Sequence, residues 1–175
     1  SNMAKAVGSA IYTAVLNDRG TYESDITAHR IAEDHYRLFV GTNAIKHDLA
    51  WLKRHTDAYD VALTDTTEDY AVLGLMGPES MQIANGVGAE KLNDIGYFKI
   101  GEAEIAARPV RAVRMSYVGE AGWEITCKTE DVADIYKALN AAGAEPAGMY
   151  AQSSMRVEKG FAAMGHELDS DITPV

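Results

Sequence analysis

Cysteine is nearly missing from this chain: Cys127 stands alone among 175 residues, which excludes an internal disulfide and any metal cluster built on cysteine. A reducing compartment, and so a cytoplasmic location, fits that scarcity. Cys127 falls in a strand-like stretch after Trp123 that suits a buried apolar position, and no histidine motif accompanies it as a nucleophile would need. Positive charge is also short. Against 26 Asp+Glu there are 16 Lys+Arg, a formal charge of -10 that repels phosphate backbones and anionic lipids, so neither nucleic acid nor a membrane surface is expected as a partner. No apolar run reaches the length of a membrane span. The five histidines lack metal-ligand spacing such as HExxH, and no GxGxxG dinucleotide fingerprint occurs. His47 and His55, eight apart on a predicted helix, read as parts of a solvated face. What remains, 47% hydrophobic and 24% charged residues, is ordinary for a folded domain and suffices for one core or two small lobes.

Two stretches carry most of the information. Asn17, Asp18 and Gly20 are turn formers, and after them Asp25 opens a polar/apolar alternation through Ile26, Thr27 and Ala28 that suits a strand. A carboxylate there is costly to bury unless it meets a donor. In the second, Tyr117 to Ile125, Gly119 and Gly122 let the backbone turn or approach another surface closely. Trp123, Glu124 and Ile125 then alternate into a strand, so Glu124 faces away from its two apolar neighbours.

Along the chain, Ala10 to Leu16 reads as a strand, and Asp25 to Val40 as a hairpin turning at Ala32-Glu33-Asp34. Asn43 to Arg54 has helical spacing at Ile45, Leu49 and Leu52, with Thr42 or Asn43 available as a cap. Val61 to Thr64 and Tyr70 to Leu75 read as strands around the acidic turn at Asp65 to Asp69, and Pro78 opens a second helix. Ala89 to Ile95 is a short helix. Tyr97 to Ala107 reads as a hairpin split at Gly101-Glu102, and Val110 to Tyr117 as a strand. A helix runs from Thr129 to Gly143, with acidic residues in its first turn and a terminal glycine, and another from about Tyr150 to Gly160. Interspersed helices and recurrent antiparallel hairpins predict an α+β fold of antiparallel sheets with packed helices, possible as two lobes of about 4–77 and 78–175. Ser1-Asn2-Met3 reads as an expression-tag remnant.

Together with Arg156-Val157-Glu158-Lys159-Gly160, these segments resemble the folate-binding aminomethyltransferase family, the glycine-cleavage T-protein and its relatives. Leu16 to Asp25, Asn43 with Asp48 to Leu52, Gly74 to Pro78, Tyr117 to Ile125, Arg156 to Gly160 and Gly165 to Pro174 follow in family order. Asp48 to His55 looks most like the version fused to flavin enzymes that oxidise dimethylglycine or sarcosine. One departure is Thr21-Tyr22, where a glycine and an aliphatic residue are usual, in the loop before Asp25. The resemblance implies the central portion of a longer protein, and FAD only if that protein carries a flavin domain.

The resemblance also implies tetrahydrofolate as cofactor and a set of site residues. Glu124 is the candidate for pairing with the N–H and amino group of the pterin, with Glu120 as fallback. Asp25 is the candidate beside the reacting N5/N10 region, positioning folate, taking a proton or stabilising cationic charge, and Tyr12 supports it or packs in the core. Tyr117 lies against the pterin or simply packs, Asn43 hydrogen-bonds folate or caps its helix, and Arg156 serves the site or forms a helix-surface ion pair with a residue such as Glu158. The implied function is one-carbon transfer to reduced folate, from a lipoyl carrier or from a methylamine-type donor. The alternative is a noncatalytic folate-binding or assembly module that keeps the fold without the reaction.

Overall fold

The computed structural model describes residues 1–174 and divides the chain into two compact units, one formed by residues 1–66 with 162 onward, the other by 67–161. The division falls well before residue 77 because the strand at Tyr70–Met76 pairs with Gly122–Lys128, which ties it to the second unit.

The first unit is built on an antiparallel sheet of β1 (Ala10–Leu16), β2 (Tyr22–Arg30) and β3 (Tyr36–Val40), in that order. Both predicted hairpins form. The β1–β2 turn closes on Asn17, whose side-chain oxygen accepts from the Arg19 and Thr21 amides and, at 3.0 Å, from the Thr21 hydroxyl. Thr21, the departure from the usual loop, is buried and serves that turn. Ser24, Ile26 and Ala28 are buried, so one face of β2 is a core face, while Asp25 and Thr27 share the other with Ala14 and Tyr12 of β1. A 3-10 turn at Thr42–Ala44 leads into α1 (Ile45–Thr56), and the predicted side-chain cap from Thr42 or Asn43 is not made. The strand expected at 61–64 is absent: Val61 is exposed, and no neighbouring strand supplies the ladder that an extended segment needs.

The second unit holds a four-stranded antiparallel sheet of order β4-β7-β6-β5, made by β4 (Tyr70–Met76), β5 (Ile100–Ile105), β6 (Arg108–Arg114) and β7 (Gly122–Lys128). Its helices are α2 (Ser80–Gly86), α3 (Val132–Ala141) and α4 (Met149–Glu158). Trp123, Ile125 and Cys127 face a core shared with Leu75, Ala112, Ile105, Leu92, Ile135 and Leu139. Trp123 is fully buried, and its indole N–H donates to the Leu92 carbonyl at 2.9 Å, which removes the cost of burying that donor. The second hairpin bends five residues later than expected. β5 runs straight through Gly101-Glu102 and turns at Ala106-Ala107, both with positive φ (53° and 58°), the two-residue loop whose twist matches the strands. Gly101 serves packing instead, since a Cβ there would lie 2.6 Å from the Ile95 side chain. Among the described residues no helix is long and apolar enough to cross a membrane.

Candidate functional site

The turn at Asn17 to Thr21 and the β1–β2 register place two sequence-predicted residues together in the first unit. Asp25 sits opposite Ala14, one diagonal step from Tyr12, and Tyr12 donates its phenolic O–H to Asp25 Oδ2 at 2.8 Å. Tyr12 is 48% exposed, so its ring is not a core filler. The half-buried Asp25 thus has one oxygen oriented by a phenol, on the sheet face opposite to the buried Ser24 and Ile26.

Next to this pair lies a group that the sequence reading did not assemble. Asp48 of α1 is buried, accepting from the Ser24 hydroxyl at 2.7 Å and contacting His47 Nδ1 at 2.9 Å. His47 Nε2 contacts Glu23 Oε1 at 2.8 Å. The hydrogen bond to Asp48 raises the His47 pKa, partial burial opposes it, and Glu23 adds to the rise. His47 is therefore half-exposed but clamped between two carboxylates, not a free solvated side chain. A signal was present: Asp48 falls three after Ile45 and four before Leu52, on the apolar stripe of α1. His55, by contrast, packs its ring 4.1 Å from that of Trp51.

In the second unit, Glu124 emerges on the sheet face opposite to Trp123 and Ile125, as the alternation requires. Gly74 of β4 and fully buried Val113 of β6 flank it in register. Burial pushes its carboxyl above the usual range, and among the described residues no hydrogen bond or ion pair reaches its oxygens. Gly122 makes the strand entry possible, because a Cβ there would lie 2.6 Å from the Leu75 carbonyl oxygen and 2.8 Å from Met76 Cα.

The loop before β7 is held by the end of α4. Gly119 has φ +76°, and the Lys159 stem lies where its Cβ would be, while Lys159 Nζ pairs with Glu120 at 3.1 Å. Glu120 is thus engaged in an exposed ion pair, whereas no such partner is found for Glu124 among the described residues. Tyr117 stacks parallel to Phe161 with centroids 6.1 Å apart. Arg156 is 3% exposed and donates to the Phe161 carbonyl at 2.9 Å, so it is a buried side chain and not a helix-surface charge. The same turn ends α4: Gly160, with φ +72°, donates to the Val157 carbonyl and Phe161 N–H to that of Arg156. Asn43 lies exposed in the 3-10 turn. Cys127 is buried on the core face, where burial, with the charge of Asp131, pushes its thiol pKa up, as expected of a packing residue.

The chain is 36% identical over 169 residues to an aminomethyltransferase of Thermus thermophilus, an alignment that covers 97% of this chain and 48% of that protein. It is 31% identical over 183 residues to mouse mitochondrial dimethylglycine dehydrogenase, covering 100% of this chain and 21% of the relative. Its fold matches the crystal structure of glycine cleavage system aminomethyltransferase T from Bartonella henselae with a TM-score of 0.83 at 23% identity, over 97% of this chain and 46% of that one. The chain thus spans about half the length of the aminomethyltransferases that it matches. The model of the GCVT N-terminal domain matches residues 1–175, and the chain belongs to that aminomethyltransferase family.

Proposed function

We propose that this chain is a tetrahydrofolate-binding domain for one-carbon transfer, and that Glu124 recognises the pterin. The observation that carries this reading is a carboxylate partly withdrawn from water with no protein donor to compensate it. The pterin edge offers an N–H and an amino group side by side, which fit the two acceptor oxygens of one carboxylate. Gly74 keeps one flank of Glu124 free of side-chain bulk, and Tyr117 offers an aromatic surface backed by Phe161. Tetrahydrofolate supplies N5 and N10, the nitrogens that take up a carbon at the formaldehyde level. Asp25 is the residue assigned to that reacting region. Its carboxylate, oriented by the Tyr12 hydroxyl, can accept a proton from an amine or stabilise developing positive charge. The similarity to aminomethyltransferases and to dimethylglycine dehydrogenases supports two donor classes, an aminomethyl group on a lipoyl carrier and a methylamine-type amino acid. Calorimetric titration of the full-length protein with tetrahydrofolate, wild type beside Glu124→Gln, tests the assignment. A large loss of affinity in the variant is expected, and equal affinities would remove Glu124 from the site.

A further inference from the structure

We propose that His47, held between Glu23 and Asp48, is a positioning residue that latches α1 onto β2 and so fixes the strand segment that presents Asp25. The argument begins with hydrogen count. A neutral imidazole has one N–H, yet both ring nitrogens of His47 lie within 2.9 Å of a carboxylate oxygen, Nδ1 at Asp48 and Nε2 at Glu23. Only the imidazolium can donate to both. In the neutral ring, one nitrogen would point its lone pair at a carboxylate, and that contact would be repulsive.

The charged groups that face the ring are Glu23 from β2 and Asp48 from α1, both anionic, and no cation other than His47 itself is paired with either carboxylate among the described residues. Asp48 is anchored from its other oxygen by the Ser24 hydroxyl. The network therefore grips β2 at two consecutive residues, Glu23 and Ser24, immediately before Asp25. The Asp25 carboxylate accepts from Tyr12, whereas the Ser24 hydroxyl that anchors Asp48 also lies 3.4 Å from the Asp25 carbonyl oxygen, so His47 acts on Asp25 through Ser24 and the strand backbone. The raised pKa of His47 agrees with the geometry. Since the folded pKa exceeds the ordinary value, the latch is fully closed below about pH 6.5 and is lost as pH rises through the folded value.

The link to catalysis rests on the folate reading, whereas the latch itself does not, and the test separates them. The full-length protein and its His47→Gln and His47→Arg variants are followed from about pH 6 to about pH 9 by ring-nitrogen and backbone-amide NMR, beside calorimetric titration with tetrahydrofolate. Glutamine is uncharged and carries its donors on one nitrogen, so it does not reproduce the two separate ring N–H groups, while arginine is a permanent cation with donors on several nitrogens. The wild-type ring should titrate above the ordinary histidine value, with the Ser24 and Asp25 amides moving at the same midpoint. That movement should vanish in both variants. Folate affinity should fall about two- to fivefold in the wild type as the ring loses its proton, a range set by one half-exposed ion pair. His47→Arg should hold the low-pH affinity throughout and His47→Gln the weaker one. A ring that titrates at its ordinary value, amides at Ser24 and Asp25 that ignore it, or a wild-type pH profile retained in His47→Arg would each overturn the proposal. Linked ring and amide titration without folate binding at any pH would uphold the latch and overturn the folate reading.

Discussion

Replacing Glu124 by glutamine should move stability and binding in opposite directions. The side chain is desolvated between Gly74 and Val113, its pKa is raised by burial alone, and no protein donor reaches it. Because the folded pKa lies above the unfolded one, the favourable contribution of Glu124 is complete below the ordinary carboxylate value and is lost as pH rises through the folded value. At neutral pH the ionised group stands in a poorly solvated place, so a neutral amide of the same shape should raise the melting temperature. The advantage should disappear below about pH 4, where the carboxyl is protonated in both states. Binding should suffer. An amide keeps one acceptor oxygen and presents an N–H₂ to a ligand donor, so a charge-assisted pair worth about 1.5–3 kcal/mol is lost. That corresponds to a dissociation constant about ten- to 150-fold weaker. Thermal melts at acid and neutral pH give the first quantity and calorimetric titration of the full-length protein with tetrahydrofolate the second. A variant that melts lower than wild type at neutral pH would mean that the protein already compensates the charge, and the argument for a waiting ligand would fail.

Other perturbations test the remaining assignments. Asp25→Asn should lower one-carbon transfer about 100-fold or more while leaving the melt nearly unchanged, since Asp25 is a half-buried strand residue held by Tyr12. Tyr12→Phe should give a smaller loss, and a collapsed melt in either variant would indicate a structural role. Arg156→Ala should cost about 1.5–3 kcal/mol in denaturant unfolding, because it leaves the Phe161 carbonyl without its charged donor; an unchanged midpoint would show that the buried guanidinium does not hold this turn. Gly122→Ala should destabilise the second unit by about 1–3 kcal/mol, since its Cβ would meet β4 backbone that cannot move without parting the β4–β7 ladder. A melt equal to wild type would show that this close approach is relaxed in solution.

The sequence by itself determined what depends on local period and local turn chemistry. The alternation at Trp123-Glu124-Ile125 set which side chains enter the core, and the turn formers at Asn17 to Gly20 delivered Asp25 into a strand; both are read from neighbours in the chain. Only the tertiary structure decided what depends on partners distant in sequence. Gly101 looked like a bend, but its missing side chain makes room for Ile95, and the turn falls on two alanines that no turn propensity would select. The 61–64 segment has strand-like residues yet has no neighbouring edge to pair with. Arg156 read as either a site residue or a surface ion-pair partner, and its burial against the Phe161 carbonyl depends on the chain turning beyond Gly160. His47 has the same cause: whether it is a free surface ring or a clamped imidazolium depends on α1 docking against β2, which brings carboxylates from positions 23 and 48 to its two nitrogens at hydrogen-bond range.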